Sequence, residues 1–263
     1  MKTTIVQTDI IWGKPKENVL RLAKVIDGLT EVDLIVLPEM FTTGFVTSPK
    51  GFAESPDCDS LQWMKRIAAQ KDCAVAGSIA IQEGCDKFFN RFYFVKPDGD
   101  VVIYDKKHLF TFGGEDKTFT AGSERVTVEW RGVRILLQIC YDLRFPCFSR
   151  NRLRTETGKP DYDMILYVAS WPTVRIGVWK TLLRARAIEN QCYVAGVNRV
   201  GTDPYCEYSG GSALIDPYGV TLASCSDSVE GTAVADIDID SLNRFRAKFP
   251  VLNDADILCT DPK

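Results

Sequence analysis

The sequence predicts an α/β fold of two packed, mixed β-sheets covered by helices, and three observations point there. Strand-like and helix-like stretches alternate along most of the 263 residues. Hairpin patterns interrupt that alternation in the middle, which excludes a purely parallel sheet. At least ten strands are expected, more than one sheet holds comfortably.

The elements follow in order. Residues 3–7 read as a first strand. Residues 14–27 have helical spacing, with Pro15 near the start, Val19, Leu22, Ala23 and Ile26 on one face, and Gly28 as the stop. Residues 33–37 form a short unbroken apolar run, the mark of a strand covered on both faces. A helix over 60–71 and a strand over 74–81 come next. Residues 91–96 and 101–104 flank the turn Pro97-Asp-Gly-Asp100, and 125–130 and 133–139 flank Arg131-Gly132, giving two hairpins. A helix is expected over 148–154, a strand over 164–169, a helix over 177–190 and a strand over 192–198. A hairpin around Asp216-Pro-Tyr-Gly219, a strand over 231–237 and a short helix near 242–248 complete the list. With no linker, low-complexity stretch or internal repeat, residues 1–263 read as one domain with an extended tail from about 250.

Composition excludes several classes. Apolar residues make up 45% and charged residues 25%, as in ordinary globular proteins. A formal net charge of −3 and a pI near 5.4 leave no electrostatic footprint for nucleic acid or an anionic membrane. No apolar stretch approaches the ~18 residues a membrane span requires. The nine cysteines show no CxxC pair or zinc-ligand spacing, so no metal site is expected. Their odd number, and a start without an apolar signal core, point to reduced thiols in the cytoplasm. The basic run 144–154 reads as a solvated helix face.

Three chemically capable groups stand just beyond expected strands: Glu39, Lys106 and Cys140. Strand ends are where α/β folds place their chemistry. The chain has a single histidine, His108, so a nucleophilic cysteine here must find its partner in a carboxylate or a lysine. Taken alone, each has a plainer reading. Cys140 could be a small core residue, Glu39 a helix-start carboxylate, Lys106 part of a solvated loop, and His108 a support for that loop.

Taken together, the three segments resemble the nitrilase superfamily, the thiol-dependent carbon–nitrogen hydrolases, over nearly the whole chain. Leu37-Pro-Glu-Met-Phe-Thr-Thr-Gly-Phe45 resembles the family's glutamate segment, Tyr104-Asp-Lys-Lys-His-Leu-Phe110 its lysine segment, and Ile139-Cys-Tyr-Asp-Leu-Arg-Phe-Pro146 its cysteine segment. The family pattern sets the lysine two residues before His-Leu, which selects Lys106 over Lys107. Glu115 matches a second glutamate of many members. The resemblance implies a four-layer α-β-β-α sandwich and a catalytic set of Glu39, Lys106 and Cys140. It also implies a need for no metal or organic cofactor.

The chemistry agrees with that set. A neighbouring ammonium favours the thiolate, Glu39 can take the thiol proton, and Lys106 with the backbone N–H of Tyr141 can hold an oxyanion. Glu115 is assigned to positioning Lys106 or substrate, and Asp142 and Arg144 to an ion pair or capping network around the cysteine loop.

Nitrile hydrolysers of the family carry Trp-Glu after the cysteine, whereas this chain has Tyr141-Asp142, which favours amides. Ala169-Ser-Trp-Pro172, Leu182-Leu-Arg-Ala-Arg-Ala-Ile-Glu-Asn-Gln191 and Gly196-Val-Asn-Arg-Val-Gly201 resemble the ω-amidase branch, which deamidates 2-oxoglutaramate and 2-oxosuccinamate. Such substrates are small and anionic, so the pocket needs a cation or several N–H donors. Arg175 is expected in that role, with Trp171 shaping the wall; the plainer reading of Arg175 is a cap on the following helix. The resemblance also implies at least a homodimer, through the segments 148–154 and the helix ending near Asn190. An amidase for deaminated glutathione or aliphatic amides, a non-catalytic interaction protein, and a redox-sensing thiol protein remain as alternatives.

Overall fold

The structure, a computed structural model, describes residues 1–155 and 157–255. The first half runs β1 (Lys2–Gln7), α1 (Pro15–Asp27), β2 (Leu34–Val36), α2 (Asp59–Lys71), β3 (Ala74–Glu83), β4 (Lys87–Val95) and β5 (Val101–Asp105). The second half runs β6 (Thr127–Trp130), β7 (Val133–Ile139), α3 (Pro146–Ser149), β8 (Met164–Ala169), α4 (Ile176–Glu189) and β9 (Tyr193–Asn198). It continues with β10 (Val200–Thr202), β11 (Glu207–Ser209), β12 (Ala213–Ile215), β13 (Thr221–Ser224), β14 (Gly231–Asp236) and α5 (Ile239–Lys248).

Two six-stranded sheets result, in the orders β14-β1-β2-β3-β4-β5 and β13-β12-β9-β8-β7-β6. Each has a parallel centre, β1-β2-β3 in one and β7-β8-β9 in the other, with antiparallel strands outside. Local chemistry sets several ends. Pro15 fills the first turn of α1, where a missing N–H costs nothing. Cys58 Sγ accepts from Leu61 N at 3.4 Å to cap α2. Arg131 and Gly132 both take positive φ, the geometry of a tight hairpin turn between β6 and β7.

Strand alternation then sorts the core into layers. Leu34 and Val36 of β2 face the second sheet, together with Phe92, Phe94, Ile135, Leu137, Leu166 and Val197. Ile35 and Leu37 face the other way, onto Leu22, Ile26, Met64 and Ile67 of α1 and α2. Ile165 and Val194 turn outward onto Trp179 and Leu183 of α4. The order is helix, sheet, sheet, helix, the four-layer sandwich expected from the sequence. Gly196 lets α4 close on β9, because a Cβ there would run into Leu183 and Trp179.

Two expectations need correcting. The helix over 148–154 is a single turn, Pro146–Ser149. Asn151 is buried, and its amide donates to the carbonyls of Tyr162 and Asn190 at 3.0 Å each, which draws the chain away from a helical path. The small pair β10–β11 was not anticipated. The tail expected from about 250 starts with a 3-10 turn, Val251–Asp254, and the rest of it, 256–263, lies outside the described residues. All eight described cysteines are unpaired. Among the described residues, no helix is long and apolar enough to cross a membrane.

Candidate active site

Loops leaving strands of both sheets deliver the site. Glu39 follows β2, where Met40 takes φ 43° and its N–H donates to Ser78 Oγ at 2.9 Å. Lys106 follows β5, its backbone N–H donating to Asn90 O at 3.0 Å. Cys140 follows β7 in the opposite sheet and opens a 3-10 turn, Cys140–Arg144, with φ 45°. A side-chain-bearing residue in the left-handed region is strained, and such strain persists only where surroundings enforce it.

Asp142 does the enforcing. Its Oδ2 accepts from Ile139 N at 2.9 Å and from Tyr104 Oη at 2.7 Å. Its Oδ1 accepts from His108 N at 3.0 Å and pairs with His108 Nδ1 at 2.8 Å. The His108 ring is stacked on Phe145, with centroids 3.9 Å apart. One buried carboxylate thus joins the lysine loop to the cysteine turn, the network role expected of Asp142. Arg144 does not share it. It makes no ion pair among the described residues and lies over the Trp171 ring at 5.2 Å.

At the centre, Glu39, Lys106, Glu115 and Asn90 are fully buried. Lys106 Nζ is 3.0 Å from Glu39 Oε1 and 2.9 Å from Glu115 Oε2. Asn90 Nδ2 donates to Glu39 Oε1 at 2.8 Å and to Glu115 Oε1 at 3.1 Å. Phe110 N donates to Glu115 Oε2 at 2.6 Å. Ser170 N, beyond β8 of the other sheet, donates to Glu39 Oε2 at 2.8 Å. The Cys140 thiol lies within electrostatic reach of Glu39, Lys106 and Glu115. Asn90 and Ser170 escaped the sequence reading. Asn90 had a usable signal, a lone amide in the aromatic strand Phe88-Phe-Asn-Arg-Phe-Tyr-Phe94.

Burial and charge both act on the thiol. Burial is the largest influence on Cys140 and, with the Glu39 carboxylate, holds it well above the usual thiol range against the pull of Lys106. The ammonium was expected to favour the thiolate, but it is already shared by two carboxylates. Burial opposes charge on Lys106, yet Glu115 and Glu39 outweigh it and keep the ammonium protonated. Glu115 is raised, by burial first, with Lys106 opposing and Glu39 adding.

Above the thiol opens a cleft of about 320 Å³, with Phe45, Phe110, Tyr141 and Trp171 among its walls and Arg144 and Arg175 at its edge. Arg175 lies over the Phe110 ring at 5.5 Å and, like Arg144, has no ion-pair partner among the described residues. It stands at the start of α4 but makes no side-chain cap there. Trp171 is fixed through its backbone N–H to Asn198 Oδ1 at 2.7 Å and its indole N–H to Arg175 O at 2.9 Å. The arrangement can therefore present a thiol, a proton acceptor and a cation to a small anionic acyl compound. Among the described residues, no group of three or more His, Cys, Asp or Glu is disposed to hold a metal ion.

Comparison with known proteins adds to this. The model of the carbon-nitrogen hydrolase family matches residues 2–247. The chain is 44% identical over 258 residues to the omega-amidase YafV of Escherichia coli (strain K12), covering 97% of each. It is 37% identical over 260 residues to the 2-oxoglutaramate amidase of Bacillus subtilis (strain 168), covering 97% of this chain and 98% of that one. Among solved structures, XC1258 from Xanthomonas campestris, a CN-hydrolase superfamily protein with an arsenic adduct in the active site, is 41% identical. Its TM-score is 0.95, with 99% of each chain covered.

Proposed function

The chain belongs to the carbon–nitrogen hydrolase family, and on that premise we propose that it is an ω-amidase. It releases ammonia from ω-amides of 2-oxo dicarboxylic acids, 2-oxoglutaramate and 2-oxosuccinamate among them. The observation that carries this reading is the buried Glu39–Lys106–Glu115 cluster beside the Cys140 thiol, beneath a cleft lined by Arg144 and Arg175, which have no ion-pair partner among the described residues. The relatives named above support the substrate class.

The reaction starts from the neutral thiol. As Sγ attacks the amide carbon, the thiol proton passes to Glu39 and the carbonyl electrons move onto oxygen. Lys106 Nζ and the Tyr141 N–H stabilise that oxyanion. Collapse breaks the C–N bond, Glu39 returns the proton to the departing nitrogen, and ammonia leaves a thioester on Cys140. Glu39 then takes a proton from water as the water attacks the thioester. The second collapse breaks the C–S bond, the proton goes back to sulfur, and the 2-oxo dicarboxylate is free. Glu115 holds Lys106 in place throughout, Arg175 pairs with the substrate carboxylate, and Trp171 forms the wall beside it.

Ammonia release tests this with 2-oxoglutaramate, 2-oxosuccinamate, glutamine, asparagine and an aliphatic amide, for the wild type and Cys140→Ala. Turnover of the 2-oxo amides, lost in the variant, is the expected result; a folded wild type that turns over none of them refutes the assignment. The catalytic unit spans residues 1–263 as one domain and works in the cytoplasm as at least a homodimer, with Pro146–Ser149 and α4 at the interface. A strict monomer by light scattering contradicts that assembly.

A further inference from the structure

Asn90 lies mid-strand in β4, on the face it shares with Phe92 and Phe94, between the two sheets. An apolar side chain would serve packing better at this place. The amide leaves its own Oδ1 buried with no partner among the described residues, and an unpaired buried carbonyl weakens a fold. Stability therefore gives no reason for an amide here, but the other end of the side chain does. Nδ2 has two hydrogens, and two different carboxylates accept from it, Glu39 at 2.8 Å and Glu115 at 3.1 Å. The backbone carbonyl of the same residue receives the N–H of Lys106.

Two carboxylates beside one ammonium repel each other, and burial makes that repulsion stronger. A second cation would offset it but would also compete with Lys106. A hydroxyl has one hydrogen for two acceptors. A neutral amide supplies two donors and no charge. We propose that Asn90 is a positioning residue that keeps the Glu39 and Glu115 carboxylates ionised together around Lys106, leaving Glu39 ready to receive the Cys140 proton. This rests on the ω-amidase reading only for the identity of the base. The charged groups facing Asn90 are Glu39, Glu115 and Lys106, and the Cys140 thiol of the opposite sheet lies within electrostatic reach of all three. Its neighbour Arg91 is engaged elsewhere, paired with Asp105 at 2.7 Å.

The test uses Asn90→Val and Asn90→Ser, each confirmed as folded by circular dichroism. Iodoacetamide labelling of Cys140, followed by peptide mass spectrometry across pH, is measured beside the kcat/KM profile for ammonia release. Loss of both donors disfavours the ionised pair, so the acidic limb of both profiles should move up by about one pH unit in Asn90→Val. Asn90→Ser, which keeps one donor, should move it less, and it decides the matter if the valine variant does not fold. An acidic limb left at its wild-type position, whatever happens to the plateau rate, overturns the proposal, because a purely structural role lowers the plateau without shifting the limb. The labelling arm needs no substrate. A chain that turned over no 2-oxo amide would lose the ω-amidase reading while its labelling profile still decided the role of Asn90.

Discussion

The floor of the cleft and its edge are built on opposite terms. At the floor, Glu39 accepts from a lysine, an asparagine amide and a backbone N–H. At the edge, Arg144 and Arg175 have no carboxylate partner among the described residues and rest against the faces of Trp171 and Phe110. A buried charge held by several donors has one geometry and a high cost of change. A cation resting on a ring keeps its N–H groups available to a ligand. The contrast teaches that the bond-making groups are fixed in advance, whereas recognition is left to side chains free to meet an anion.

Substitutions of graded effect probe that contrast. Glu39→Gln keeps the shape but removes the proton acceptor, and kcat for ammonia release should fall by about 10³-fold. A loss below tenfold would mean that the floor does not hold the base. Asp142→Ala strips the acceptor from two backbone N–H groups and the Tyr104 hydroxyl. Urea unfolding should register about 3 kcal/mol of lost stability, together with slower labelling of Cys140. Arg175→Ala should raise KM for 2-oxoglutaramate by about 10- to 100-fold, on the order of 1.4–2.8 kcal/mol. It should leave an uncharged amide nearly unaffected; equal losses on both substrates would erase the division between floor and edge. Arg144→Ala, at the more exposed of the two arginines, should cost less than about tenfold in KM.

How far the sequence reveals these regions depends on whether a residue's role is local. The strands between the sheets are legible, because burial on both faces forces unbroken apolar runs such as 33–37 and 164–169. Glu39, Lys106 and Cys140 are legible because each stands at a strand end inside a segment resembling the family's own. The helix expected over 148–154 is not, since what breaks it is a bond from Asn151 to residues far along the chain. Asn90 is legible only as a lone amide in an aromatic strand, and its role is not. Its meaning comes from the register that sets β4 beside β5, and from the loop that brings Glu115 back over Lys106. Spacing places Arg144 near the cysteine loop without giving its direction, and the side chain rests on the Trp171 ring instead of joining the Asp142 network.

The bond from Ser170 N to Glu39 Oε2 crosses from one sheet to the other. The proton acceptor thus belongs to both halves of the sandwich, whereas the thiol that must meet it stands on one. A sideways slip of one sheet by an ångström would leave secondary structure and most of the apolar seam intact, yet part acid from base. Catalysis is therefore a strain gauge for the mating of the sheets. During a urea titration, ammonia release should fade while the far-ultraviolet spectrum is still that of the native protein.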